Sequence, residues 1–81
     1  MRFSVLLFAS LRDRAGSERI EIEIAEGATL NALLEAIEVQ QPELSGRLAA
    51  VRVAVDEEFR DGDHPLSEGN EIALIPPVSG G

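Results

Sequence analysis

The last seven residues form a segment whose chemical use needs no reactive side chain. They read Ile75-Pro76-Pro77-Val78-Ser79-Gly80-Gly81. Two consecutive prolines fix φ and favour an extended polyproline II path, which carries the chain away from the preceding element. The last two residues have no side chain, so this end fits a narrow channel in a partner and presents the Gly81 carboxylate to a buried active site.

A diglycine alone does not establish this use. At average glycine usage, a given pair of positions is Gly-Gly about 0.5% of the time, and a frayed chain end is the simpler alternative. The interpretation gains weight because the pair follows a proline stem and a sheet-forming pattern.

Conventional catalytic groups are scarce. The chain has no cysteine, which removes thiol nucleophiles, disulfides and thiolate metal sites. The single histidine, His64, precedes Pro65 in a turn, where a structural or solvated role is favoured over general base catalysis. Glu57 and Glu58 are adjacent, but successive side chains diverge, so a solvated loop is favoured over an acid/base pair. With no metal-ligand spacing and no phosphate-binding loop, we expect no bound metal or cofactor, and chemistry performed on the tail by other proteins.

The net charge limits the classes of binding partner that are expected. A net charge of −8 disfavours nucleic acid and anionic membranes and favours a basic protein partner, although it could serve solubility alone. All seven cations are arginine, so the chain offers no ε-amine for conjugation to itself. The apolar run after Met1-Arg2 is too short for a secretory signal and no stretch is long enough to span a membrane, so we expect a cytoplasmic protein.

Alternating apolar residues predict the strands. Phe3, Val5 and Leu7 predict a first strand over about 2–8, and Ile20, Ile22 and Ile24 predict a second. A short helical turn over 11–15 is expected between them. Val51, Val53 and Val55 indicate a third strand, and 72–75 the last.

One helix lies between the second and third strands. Thr29 is a suitable N-cap, and Pro42 ends the helix; residues 43–50 are expected to be irregular or a short helix. An apolar stripe at i, i+3, i+4 and i+7 predicts one buried face: Leu30, Leu33, Leu34 and Ile37. The order strand, strand, helix, strand, strand predicts an α+β fold, a ubiquitin-like β-grasp roll whose mixed sheet has central first and last strands and is covered on one face by the main helix. We expect residues 1–76 to form this domain and 77–81 a flexible tail.

The uncovered face of the sheet is a candidate protein interface. If Phe3, Val5 and Leu7 face the helix, Leu6 and Phe8 face away, and by the same alternation so do Ala73 and Ile75. Phe59 is expected in an exposed turn nearby. The predicted partner-binding residues are therefore Phe8, Phe59 and Ile75, together with Pro76, Pro77, Val78 and Ser79 of the tail. The alternative is that the domain's own loops bury the apolar side chains.

Several segments carry a resemblance that covers essentially the whole chain. They are Phe8-Ala9-Ser10-Leu11-Arg12, Glu26-Gly27-Ala28-Thr29, Val53-Ala54-Val55, Asp63-His64-Pro65-Leu66, Glu68-Gly69-Asn70-Glu71-Ile72-Ala73 and the tail from Pro76. Together they resemble the small subunit of molybdopterin synthase, and the tail is the most specific of them. Asp56 departs from the pattern, since that family often has Asn after the third strand.

The resemblance implies a sulfur carrier that is not an enzyme alone. An adenylating enzyme related to ubiquitin-activating enzymes would use ATP to convert the Gly81 carboxylate to an acyl-adenylate. Sulfur from a cysteine desulfurase or a rhodanese-type donor would then leave a thiocarboxylate. The loaded tail, with Gly80 and Gly81 as its reactive end, would enter the large synthase subunit beside cyclic pyranopterin monophosphate and help build the dithiolene of the molybdenum cofactor.

Three other interpretations stay open. One is a sulfur carrier of another pathway, such as thiamine biosynthesis, although the Pro-Pro-Val-Ser stem and the chain length favour the molybdopterin member. Another is a ubiquitin-like modifier joined to target lysines through Gly81. The third is a β-grasp binding module whose tail is incidental.

Overall fold

The computed structural model describes residues 1–77 and shows a mixed sheet with one long helix across one face. Its elements are β1 (Arg2–Leu7), α1 (Ala9–Ala15), β2 (Arg19–Glu23), α2 (Leu30–Gln40), a 3₁₀ helix (Pro42–Leu44), β3 (Arg52–Val55), β4 (Glu58–Arg60) and β5 (Ile72–Ile75). The strand order is β2-β1-β5-β3-β4, with β1 and β5 parallel and the other pairs antiparallel. The predicted β-grasp arrangement is confirmed, with the first and last strands inside the sheet.

The core lies between the sheet and α2. On β1 the alternating residues Phe3, Val5 and Leu7 are buried, because period-two side chains share one face of a strand. The helix begins after Thr29, whose Oγ1 accepts a hydrogen bond from the N–H of Ala32 at 3.4 Å, as expected of an N-cap. The predicted helix stripe is buried at three of its four positions and half-buried at Leu34.

The segment after α2 closes the core without a regular pattern. Pro42 begins the 3₁₀ helix, and within the segment expected to be irregular or a short helix Leu44 and Leu48 are buried. Two apolar residues are too few to define a period, so their place in the core was not predicted.

The position expected for Phe59 was wrong. It lies in a strand and not in an exposed turn, because Asp56 and Glu57 complete a two-residue turn earlier in the chain. Their φ values are 51° and 72°, the positive pair that defines a type I′ hairpin turn. β4 then pairs with β3, with Phe59 opposite Ala54. Phe59 remains half exposed, with 50% of its surface accessible.

Asp56 joins this hairpin turn to the beginning of β5. Its carboxylate accepts hydrogen bonds from the backbone N–H of Glu71 at 2.8 Å and from Asn70 Nδ2 at 2.7 Å. Its own N–H donates to the carbonyl of Glu71 at 2.8 Å. The departure from the asparagine of the resembled family therefore supplies an acceptor at both carboxylate oxygens. Within residues 1–77, no helix is long and apolar enough to cross a bilayer.

Candidate functional site

The stem of the tail continues directly from an interior strand. Along β5, Leu74 pairs with Leu7 of β1 on one side and with Val53 of β3 on the other. Ile75 is the last strand residue, and it pairs with Arg52. Pro76 is half-buried and Pro77 is exposed. The sheet thus fixes the point and direction at which the chain leaves the domain.

The predicted reactive end of the chain lies outside the described residues. Val78, Ser79, Gly80 and Gly81 follow Pro77, and the roles predicted for them stay predictions. The structure describes the stem on which those roles depend.

A row of apolar residues crosses the face of the sheet opposite α2. The strand registers place Leu6 beside Ala73, Ala73 beside Ala54 and Ala54 beside Phe59. Leu6, Ala73 and Ala54 are half-buried, and the row ends on the exposed ring of Phe59. Small residues in the middle with larger ones at each end give a shallow apolar surface.

Phe8 and Ile75 lie at the end of the sheet where the tail begins. Since Leu7 pairs with Leu74, each is the next residue of its chain at the same end of neighbouring strands. Phe8 is extended (φ −120°, ψ 153°), precedes α1 and is 41% exposed, whereas Ile75 is half-buried. The domain therefore leaves Phe8 exposed and covers Ile75 in part. We call the set the outer patch, and its members are Leu6, Phe8, Ala54, Phe59, Ala73 and Ile75.

Polar side chains border the outer patch. The Arg52 guanidinium carbon lies 3.9 Å from the centre of the Phe59 ring, a cation–π contact that restrains the aromatic side chain. Toward the other edge of the sheet, Arg2 of β1 donates to Glu23 of β2 at 2.8 Å, and this hydrogen bond lowers the pKa of the exposed Glu23 carboxyl. Ala54 belongs to the patch, and Arg52 borders it, only through their strand partners, so neither was predicted from the sequence.

The remaining candidate residues do not form a catalytic group. His64 acts through its backbone: its N–H donates to the carbonyl of Asp61 at 3.0 Å, and its carbonyl accepts from the N–H of Leu30 at 3.0 Å. Glu57 lies at the hairpin turn, while Glu58 pairs with Arg60 at 3.2 Å. Among the residues that the structure describes, no group of three or more His, Cys, Asp or Glu could hold a metal ion.

Comparison with known proteins agrees with this description. A roll whose interior last strand leads into a proline stem and a diglycine sequence defines a ubiquitin-like β-grasp protein. The chain belongs to the ThiS family, which it matches over residues 5–81. It is 36% identical to a molybdopterin synthase sulfur carrier subunit of Dictyostelium discoideum, over 99% of this chain and 96% of that protein.

Two solved structures extend the comparison. The crystal structure of SAMP1 from Haloferax volcanii matches with a TM-score of 0.89 and 29% identity, covering 100% of both chains. A protein–protein complex of subunits 1 and 2 of the molybdopterin-converting factor from Helicobacter pylori contains a chain that matches with a TM-score of 0.69 and 28% identity, again covering 100% of both chains. The resemblance proposed from the sequence is confirmed at the level of family and fold.

Proposed function

We propose that this chain is the sulfur-carrier subunit of a molybdopterin synthase, and that Gly81 carries the sulfur as a thiocarboxylate. The observation that supports this most directly is the path of β5. Bonded to β1 and β3, it leads into Pro76-Pro77 without an intervening loop, so a rigid base precedes the thin end. The sulfur-carrier name of the full-length relative points to the same role.

Loading of sulfur follows from the chemistry of a carboxylate. An oxide leaving group is poor, so a Gly81 oxygen first attacks the α-phosphorus of ATP on an activating enzyme, and pyrophosphate leaves. The terminal sulfur of a persulfide on a cysteine desulfurase or rhodanese-type donor then attacks the acyl carbon, and AMP leaves. A second thiol of the sulfur-donor system cleaves the resulting acyl disulfide, which releases the Gly81 thiocarboxylate and leaves a disulfide on the donor. The ATP belongs to the activating enzyme, and this chain supplies only the acyl group.

Transfer of sulfur requires docking to the large synthase subunit. The outer patch lies on the same sheet as the tail stem, with Phe8 and Ile75 at the end where the tail begins. Burial of exposed aromatic side chains there provides binding energy, while the tail delivers sulfur beside cyclic pyranopterin monophosphate in the partner. Two rounds of transfer give the dithiolene. The two-subunit complex of the Helicobacter pylori relative supports this arrangement.

The decisive experiment is the intact mass of the protein purified from its own cells. We expect a species heavier by the difference between one sulfur and one oxygen, and fragmentation should locate the change at Gly81. The matched control is a variant that lacks Gly81, which should show no such species. If all of the protein carries an unmodified carboxylate, even when the activating enzyme and sulfur donor are abundant, the proposal fails.

A second candidate function is covalent protein modification. The structural match to SAMP1, a small archaeal modifier protein, favours it. In that case an acceptor lysine of a target attacks the activated Gly81 carbonyl, and denaturing gels of cell extract show adducts larger than the free chain. A carrier for thiamine biosynthesis is separated by its partner, since a pull-down would recover a thiazole synthase in place of the large synthase subunit.

A further inference from the structure

β2 is an edge strand, and most of its outward-pointing backbone groups are hydrogen-bonded to side chains of the same molecule. In the pairing of β1 with β2, Met1 and Ile24 exchange both backbone hydrogen bonds, at 2.6 and 2.8 Å. Because such pairs alternate along an antiparallel ladder, Ile22 and Ile20 point their peptide groups toward β1. The peptide groups of Arg19, Glu21 and Glu23 therefore point outward, away from the sheet.

Ser17 occupies the first of these three outward positions. Its Oγ donates to the carbonyl of Arg19 at 2.8 Å, and the same oxygen accepts from the N–H of Arg19 at 3.2 Å. One hydroxyl just before the strand thus satisfies both backbone groups of Arg19.

Gln40 occupies the third position from a distant part of the chain. Its Nε2 donates to the carbonyl of Glu23 at 2.8 Å, and its Oε1 accepts from the N–H of Glu23 at 3.2 Å. The side-chain amide therefore makes the two bonds that a neighbouring strand would make. Gln40 is the last residue of α2, so its position depends on the packing of the helix over the sheet.

We propose that Ser17 and Gln40 close the β2 edge to strand addition, and that a second copy of this chain is the partner they exclude. Among residues 1–77, only Glu21 of the three outward positions keeps its N–H and C=O without a partner. An unprotected edge strand is a template for another strand, so these two side chains keep the carrier from pairing with itself.

The geometry identifies the pairing that is blocked. Two β2 strands placed antiparallel about Glu21 bring Glu21 opposite its own copy, and Arg19 opposite Glu23 of the second copy. This pairing would form six backbone hydrogen bonds, two at each opposed pair, but four of them use groups already bonded to Ser17 or Gln40. The alignment contains two Arg19–Glu23 pairs of opposite charge and one Glu21–Glu21 pair of like charge, so attractive pairs outnumber the repulsive one. This self-complementary arrangement is why we choose the second copy as the occupant.

The test is the oligomeric state of a double variant, Ser17→Ala with Gln40→Ala. We expect the wild type to be monomeric in analytical ultracentrifugation, and the double variant to form a dimer whose dissociation constant is at least about tenfold lower than that of the wild type. The matched control adds Glu21→Pro, because proline removes the central N–H donor yet is tolerated on an edge strand. This triple variant should return to monomer, and circular dichroism should show that all three variants are folded.

Two results would overturn the proposal. A folded double variant that associates no more than the wild type would show that the caps are not what prevents pairing. Equal association of the double and triple variants would show that the new contact is not strand pairing.

Amide hydrogen exchange tests the same caps in the wild-type protein without any variant. The amides of Arg19 and Glu23 should exchange at least about fivefold more slowly than that of Glu21 after correction for intrinsic rates. Equal rates at all three positions would contradict the proposed capping. Neither measurement depends on sulfur transfer, so the result is independent of the proposed function.

Discussion

Among the non-glycine residues that the structure describes, Glu57 has the largest positive φ. At φ 72° it occupies the second position of the β3–β4 turn, where a β-carbon is disfavoured by roughly 1–2 kcal/mol. Glycine relieves this strain but gains freedom in the unfolded chain, which costs about 0.4–1 kcal/mol. We therefore expect Glu57→Gly to increase the free energy of unfolding by about 0.5 kcal/mol, measured by urea denaturation.

The control for Glu57 is an exposed glutamate outside the left-handed region. Glu68 is exposed and is not among the residues with positive φ. Its replacement by glycine should decrease the free energy of unfolding by up to about 1 kcal/mol. The explanation based on strain is wrong if both variants change stability in the same direction.

Phe8 provides a test of the outer patch at a single side chain. Because 41% of its surface is already exposed, Phe8→Asp should lower the melting temperature by only a few degrees, yet reduce affinity for the large synthase subunit at least about tenfold. Calorimetry of unfolding and of binding measures the two effects separately.

Val39 offers a matched control for that substitution. It is 78% exposed on α2, the helix that covers the opposite face. Val39→Asp should leave binding unchanged. Equal loss of affinity in both variants would indicate that net charge, and not the patch, controls association.

At the scale of an element, the start of α2 depends on one hydroxyl. Thr29→Ala removes the acceptor for the Ala32 N–H and should lower the free energy of unfolding by about 1 kcal/mol. Thr29→Ser keeps the acceptor and should stay within a few tenths of a kcal/mol of the wild type. Thermal unfolding of the two variants gives the comparison, and similar losses would assign the effect to the methyl group.

Elements with a strong period were predictable from the sequence, and elements without one were not. The alternation of Ile20 and Ile22 and the stripe of α2 gave β2 and the helix directly, because burial on one side imposes the period. β4 has only three residues, and Phe59 is flanked by two charged ones, so no alternation was visible.

In the candidate site, too, features set by a local sequence pattern were predictable and features set by tertiary packing were not. The end of β5 at Ile75 was predictable because Pro76 and Pro77 have no N–H to continue a strand. The outer patch was predictable in part: strand alternation placed Leu6, Phe8 and Ile75 on the uncovered face. Ala54 required the register of β3 against β5, and the contact of Gln40 with β2 required the packing of α2. Such features depend on tertiary placement, which a single sequence does not reveal.

At the scale of the whole molecule, folding and function should separate at the last residue. Deleting Gly81, or adding one residue after it, should leave the melting temperature within about 1 °C, because the change lies beyond the sheet. Cofactor synthesis reconstituted with the activating enzyme and large subunit should be lost. The deletion moves the terminal carboxylate back by one residue, and the extension converts the Gly81 carboxylate to a peptide amide. Retained synthesis with the extended chain would show that the terminal carboxylate is not the sulfur acceptor.

The double-sided bonding of β5 also has a mechanical consequence. Tension applied along the tail acts parallel to the strand, and the backbone bonds of β5 to β1 and β3 run across that direction. Those bonds are loaded in shear and resist together, whereas a peripheral hairpin pulled from its open end would unzip one bond at a time. A partner that draws the tail into a channel, or an enzyme that extracts it afterwards, would thus pull on a strand whose backbone is bonded on both sides.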